Sequence, residues 1–324
     1  MKAKLAIALG LTLVGSRCFA WDSFGHMAVA YVAYQNLSPH TKQRANQLLK
    51  LNPEYQTWLS WIPQNTSAGN RKMMIFMLAA TWPDEIKGLP HHAPPINPVT
   101  GERYVADGSQ NGDRPDGSPN PTDNTGFADN SMHKYWHFVD KPFAIDNSPL
   151  PKTPTPHAQE RIALLRSTLA SNASDELKSY DLAWLLHLVG DVHQPLHCTT
   201  RVSAHNLGGD NGGNKVMVGS SKLHTVWDDL IGKGSDKAIL SKVIQVADNL
   251  PDADATLAAD ENEEHWVQES FQMAQTKVYV TPIGNGDGPF TLTTSYRNNA
   301  KQVAAERIAL AGIRLAKLLD ANLK

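Results

Sequence analysis

The stretch Leu185-Leu186-His187-Leu188-Val189-Gly190-Asp191-Val192-His193-Gln194-Pro195-Leu196-His197 decides how this chain is read. From Leu177 to Val192 the residues are apolar on nearly every side. That is the mark of a helix buried all round, at the centre of a helical protein, rather than one with a wet face. His187 and Asp191 are four residues apart and share one face of it. A carboxylate left unpaired in such surroundings is costly, so Asp191 requires a cation or hydrogen-bond donors. Pro195 stops the helix, which lets His197 fold back toward the same point. His193 is six residues from His187, points elsewhere, and reads as a core or supporting residue.

Helical patterning continues outward in both directions. Ser23 caps a helix to about Asn36, Ser38-Pro39 opens a second to about Leu51, and Met73–Ala80 reads as a buried third. Pro156 opens another through Ala170; beyond the central helix come Leu223–Ile231, Asp236–Ala247 and a long Asn298–Leu319. Val216–Val218 is the one short strand signal. The expected fold is therefore mainly α, a single helical domain over residues 21–324. Gly88 to about Asn130 interrupts it, crowded with Pro, Gly, Asn and Asp, and reads as a long inserted surface loop. Its carboxylates follow no regular calcium-loop spacing.

Of 324 residues, 41% are apolar and 19% charged, an ordinary globular balance. Met1–Ala20 reads as a secretory leader, with Lys2 and Lys4, an apolar Leu5–Val14, and small residues at Cys18 and Ala20. Its apolar part is too short to span a bilayer, which takes ~20 residues. Cleavage between Ala20 and Trp21 would deliver a secreted or periplasmic protein that does not enter the membrane. Losing the leader takes the formal charge from −2 to −5. Such a chain has no overall attraction for nucleic acid, so polyanion binding requires a local source of positive charge. Cys18 leaves with the leader, Cys198 stands alone, and metal remains available as a staple where a disulfide is not.

The 13 histidines are not scattered. His224-Thr225-Val226-Trp227-Asp228 repeats the i,i+4 pairing of His187 with Asp191. Imidazole and carboxylate together are zinc-type ligands, at about 2.0–2.2 Å from the metal. Thr81-Trp82-Pro83-Asp84 places an acid just after an apolar helix. Tyr135-Trp136-His137-Phe138-Val139-Asp140 sets His137 among aromatics, where taken alone it reads as a core histidine.

In chain order, Trp21, His26, Asp84, Trp136-His137-Phe138, His187-x3-Asp191-x5-His197, Gly208-Gly209-Asp210-Asn211-Gly212-Gly213-Asn214 and His224-x3-Asp228 resemble the single-strand-specific zinc nucleases of the S-one and P-one type, over roughly residues 21–315. The resemblance implies a helical fold of phospholipase C/nuclease type with three Zn²⁺ in a cleft. It implies one ion on Asp84, His137, His187 and Asp191, and a second on His197, His224 and Asp228. A third would take the amino nitrogen and carbonyl oxygen of Trp21, with His26 and Asp191. A backbone amine binds metal only as a free, deprotonated terminus, so leader removal would complete that site. The ions would supply the positive field that the acidic chain lacks.

The activity so implied is hydrolysis of single-stranded DNA and RNA to 5′-phosphate ends, with 3′-nucleotidase action on nucleotides, by a monomer. Lys87 stands where the family has an arginine on phosphate, Asp140 would orient the attacking water, and Phe138 would stack a base. Asp229 stands where the family has a base-contacting Asn, which leaves base preference open. A zinc phospholipase C is the alternative. Against it, Asp228 stands where that family has Glu, and the spacing from Trp21 to His26 is shorter.

Overall fold

A short polar side chain marks the start of the long helices. Asp22 accepts from the Phe24 amide, Ser38 from Thr41, Ser67 from Asn70, Ser174 from Leu177 and Thr293 from Tyr296. The computed structural model describes residues 21–86, 124–128, 133–153, 157–234 and 239–324. The expected leader, Lys87, Pro156, the first residues of the expected Asp236–Ala247 helix, and all of the expected loop except 124–128 lie outside the described residues.

Among the described residues the architecture is helical: α1 (Ser23–Asn36), α2 (Pro39–Leu49), α3 (Tyr55–Trp61), α4 (Ala68–Ala79), α5 (Trp82–Glu85), α6 (Ala158–Ala170), α7 (Asp175–Asp191), α8 (Leu223–Asp228), α9 (Leu240–Ala247), α10 (Ala255–Ala258), α11 (Glu263–Met273) and α12 (Thr294–Asn322). Two small ladders complete it. β1 (Pro142–Ala144) pairs parallel with β2 (Thr200–Val202), and β3 (Met217–Val218) antiparallel with β4 (Ser221–Lys222). No described helix is long and apolar enough to cross a membrane.

The main core gathers α1, α4, α7 and α12. α1 lies against α12, α4, α9 and α7, while α6 runs along α7. Every α7 residue from Lys178 to Asp191 is buried, as its all-round apolarity predicts. Each large apolar side chain so buried is worth about 1.5–3 kcal/mol. A second cluster, with Leu196, Val216, Leu223, Trp227, Val278 and Tyr296, packs beneath the ladder and α8. Trp227 Nε1 donates to the Tyr296 hydroxyl at 3.1 Å, which donates in turn to the Val278 carbonyl at 2.8 Å.

The structure departs from the sequence reading at particular places. α4 starts at Ala68 rather than Met73, because Ser67 caps it and the apolar run marks only its buried part. α8 stops at Asp228 rather than Ile231. α3, α10 and α11 add to the helices the sequence pattern predicts; α11 carries Glu, His and Gln through a helix that buries only Glu263, Trp266, Val267 and Ser270. The three-residue parallel ladder is too short for an alternation signal.

Behind the end of α7 two buried arginines meet the half-buried Glu269. Arg314 Nη2 reaches Glu269 Oε1 at 2.7 Å, Arg307 Nη1 reaches Oε2 at 2.8 Å, and Arg307 Nε donates to the His193 carbonyl at 3.2 Å. His193 Nδ1 donates to the Val189 carbonyl at 2.7 Å and its Nε2 accepts from Arg314 Nη1 at 2.9 Å. Burial and the two arginines push its pKa well below the ordinary value, so the ring is neutral and accepts. α11 and α12 thus grip the turn that leads from Asp191 to His197. Glu269→Ala strands two buried guanidinium groups; it should destabilise the protein by about 3–5 kcal/mol, read as a lower denaturation midpoint in urea. A loss under 1 kcal/mol would show that the cluster is not what secures this turn.

Candidate metal centre

Both His-x3-Asp pairs end their helices with the acid. Asp191 is the last residue of α7 and Asp228 the last of α8. A helix C-terminus carries partial negative charge, so each carboxylate sits at the end that disfavours it. Both are buried, Asp191 completely. Burial raises the Asp228 pKa well above the usual range; the amide of Gln194 works against that shift, while Asp229, Asp22 and Asp84 add to it. The chemistry of the position asks for positive charge.

The fold brings imidazoles to meet that demand. Asp191 Oδ2 lies 3.0 Å from His137 Nδ1 and 3.4 Å from His187 Nε2, while its Oδ1 lies 3.3 Å from His26 Nε2. Asp84 Oδ1 is 3.5 Å from His187 Nε2 and 3.8 Å from His137 Nδ1. His26, Asp84 and His187 offer ligand atoms within 4.8 Å of one another; so do His137, His187 and Asp191, and so do His197, His224 and Asp228. All eight of these side chains are buried.

Backbone carbonyls orient three of the rings. His187 Nδ1 is 2.7 Å from the Ala80 carbonyl, His197 Nδ1 2.7 Å from that of His137, and His224 Nδ1 2.7 Å from that of Gly212. A carbonyl only accepts, so each Nδ1 carries the proton and each Nε2 presents a lone pair. His197 Nε2 and His224 Nε2 then face each other at 3.1 Å. Two lone pairs that close repel unless a cation lies between them. This donor set of oriented imidazoles and carboxylates fits zinc.

The local chain explains the placement. Ala80 and Asp84 flank the junction of α4 and α5, with Pro83 in the first turn of α5. The Val139 amide donates to the His197 carbonyl at 2.7 Å, so the Tyr135–Asp140 segment runs beside His197 and on into the β1–β2 ladder. Gly190 has no Cβ where one would stand 2.9 Å from His26 Nδ1, and this lets α1 press His26 onto α7. Trp21 is buried beside it, its Nε1 donating to the Gly190 carbonyl at 3.1 Å. Gly212 adopts φ +58°, and a Cβ there would lie 2.2 Å from the Leu196 carbonyl oxygen, so only glycine can present its carbonyl to His224.

A cleft of about 280 Å³ opens beside these rings, lined by Phe138, Asp140, Asn211 and Asn214 together with His137, His197 and His224. Burial, with Asp210 nearby, raises the Asp140 pKa to about 6. Asp229 lies apart from this cleft's lining. It borders a second depression with Val226, Leu230, Arg297 and Lys301. Lys87 lies outside the described residues.

The sequence model of the S1/P1 nuclease family matches residues 21–324, which takes in every one of these groups. The chain belongs to that family. It is 28% identical to Endonuclease 4 of Arabidopsis thaliana over 172 residues, 47% of this chain and 54% of the relative. To Nuclease S1 of Aspergillus oryzae it is 29% identical over 177 residues, 48% of this chain and 57% of the relative. Endonuclease 3 of Arabidopsis thaliana matches 69% of the chain at 27% identity. The chain spans about half the length of the curated relatives it matches.

Sequence reasoning left Gln194 out of the site. Its Nε2 donates to Asp228 Oδ1 at 2.7 Å and its Oε1 accepts from the Leu196 amide at 2.6 Å, so it aims the carboxylate. The signal was its place between His193 and Pro195, inside the deciding stretch. Gln194→Met should weaken metal binding at His197, His224 and Asp228 by roughly 10–100-fold, measured by competition with a chromogenic chelator. Unchanged affinity would assign Gln194 to packing alone.

Proposed function

We propose that this chain is a secreted zinc-dependent endonuclease that cleaves phosphodiester bonds of single-stranded DNA and RNA to 5′-phosphate ends, and also removes 3′-phosphates from nucleotides. The observation that carries this reading is the buried run of His26, Asp84, His137, His187, Asp191, His197, His224 and Asp228, opening on a cleft beside Phe138. Membership of the S1/P1 nuclease family favours it over zinc phospholipase C. Zinc bound at this centre would act as a Lewis acid toward water and phosphoryl oxygens near neutral pH.

In this reading Asp84, His137, His187 and Asp191 hold one ion, and His197, His224 and Asp228 a second. His26 and Asp191 join the freed amino nitrogen and carbonyl oxygen of Trp21 on a third. Leader cleavage before Trp21 is then a step in assembling the site. Phe138, half-buried in the cleft wall, stacks a base, worth about 1–3 kcal/mol and indifferent to sequence. Asp140 faces the same space and orients the attacking water as an ionised carboxylate. Lys87 contacts phosphate. A base reaches Phe138 only when splayed from its strand, which explains a preference for unpaired substrates.

The direct test is a zinc-loaded chain beginning at Trp21, assayed on single-stranded DNA, duplex DNA and phosphatidylcholine. Rapid cleavage of the single strand to 5′-phosphate ends, abolished by chelation, is expected. Phosphatidylcholine turnover, or 3′-phosphate ends, would overturn the reading. Asp140→Asn should lower kcat/KM by about 10²-fold or more and remove the loss of activity that sets in as pH falls through about 6. The sign follows from its raised pKa: the carboxylate is ionised above that pH and protonated below it. An unaltered acid limb in this variant would exclude Asp140 from the role.

A further inference from the structure

The loop Gly208–Asn214 carries the carbonyl that turns His224, and turn hydrogen bonds, such as the Asn214 amide to the Asn211 carbonyl at 3.2 Å and the Lys215 amide to the Asp210 carbonyl at 3.1 Å, shape it only in part. Asn211 has φ +54°, and Gly209, Gly212 and Gly213 are also left-handed. Such a run forms neither helix nor strand, and side-chain contacts add to its own turn hydrogen bonds in setting its shape.

Asp210 supplies such contacts. The side chain is buried, and its Oδ1 accepts from the Arg201 amide at 2.9 Å and the Gly213 amide at 3.1 Å. Its Oδ2 accepts from the Tyr279 hydroxyl at 2.8 Å and lies 3.4 Å from Arg201 Nε. Tyr279 reaches that point because the chain leaves α11 through a π-helical turn, Ala274–Val278, in which the Tyr279 amide bonds to the Ala274 carbonyl at 2.9 Å. Extra residues in a helical turn of this kind re-aim the side chain that follows. The Arg201 guanidinium lies 5.0 Å over the Tyr279 ring and donates to the carbonyls of Gly284 at 2.6 Å and Gly286 at 2.7 Å. Phe143 packs on the same ring from β1, at 5.3 Å.

We propose that Tyr279 and Arg201, acting through Asp210, are positioning residues for the metal centre. They brace the 208–214 loop so that the Gly212 carbonyl keeps His224 aimed at His197 and Asp228. The inference rests on reading those three residues as zinc ligands. The path has no gap: Tyr279 to Asp210, Asp210 to the Gly213 amide, and Gly212 to His224 Nδ1. None of the bracing side chains needs to touch substrate.

Tyr279→Phe isolates the claim, since it removes one hydroxyl and keeps the ring under Arg201 and against Phe143. Tyr31→Phe is the control: it removes a comparable hydroxyl, bonded to Asp248 at 2.5 Å between α1 and the end of α9. Each protein is loaded with zinc and challenged with a chromogenic chelator, while thermal unfolding and oligonucleotide cleavage are measured in parallel. In Tyr279→Phe one zinc equivalent should leave about 10-fold faster than in the wild type, with the remaining zinc and the unfolding temperature near wild-type values. Asp210→Asn should do the same or more, and Tyr31→Phe should not. Wild-type zinc release in Tyr279→Phe would overturn the proposal, as would faster loss of all the zinc together with a lower unfolding temperature. If the wild type fails to cleave DNA while zinc release is selectively faster in Tyr279→Phe, the brace stands and the nuclease reading falls.

Discussion

Two carboxylates end two helices inside an apolar interior, and the rest of the molecule is arranged around that liability. Asp191 closes α7 and Asp228 closes α8, both buried and both at the negative end of a helix. Neutral surroundings would protonate them or expel them. A protein keeps such groups charged by bringing cations or hydrogen-bond donors to them, and here imidazoles converge on both carboxylates.

The same demand explains why the site is built from distant parts of the chain. α1 brings His26, the α4–α5 junction brings Asp84, the Tyr135–Asp140 segment brings His137, and α7, its following turn and α8 bring the rest. Each of three rings is fixed by a carbonyl on a different segment. The Glu269–Arg307–Arg314 cluster steadies the turn after Asp191. Ligands held this firmly pay their ordering cost on folding rather than on binding metal or substrate. With cations held by these His and Asp groups, the cleft beside Phe138 would lie against local positive charge in a chain whose formal net charge is −2.

Much of this was readable beforehand. The all-round apolarity of Leu177–Val192 announced a buried central helix, and the i,i+4 spacings put each His and Asp on one face. Ser38 and Pro39 located the start of α2; α1 starts close to where expected, but Asp22 caps it and Ser23 is its first residue, because the Asp22 carboxylate reaches the Phe24 amide. His137 was harder, because a histidine among aromatics carries no spacing signal; only its order among the other motifs singled it out. The partners of Gln194 and Asp210 cannot be read from the sequence, since side chains that meet across 34 or 69 residues leave no periodic trace. The short parallel ladder escaped for the same reason: its partners are 58 residues apart in sequence. Asp229, singled out because it stands where the family has a base-contacting Asn, follows the last residue of α8 and borders the second depression.

The most direct measurement is thermal unfolding of the chain from Trp21 onward, zinc-loaded and then stripped by a chelator, beside Asp191→Asn treated the same way. If buried carboxylates are tolerated because cations neutralise them, stripping should lower the wild-type midpoint by roughly 5 °C or more. Metal-free Asp191→Asn should then unfold at or above the metal-free wild type. A wild-type midpoint indifferent to chelation, with the Asn variant less stable than the stripped wild type, would contradict the account at its foundation.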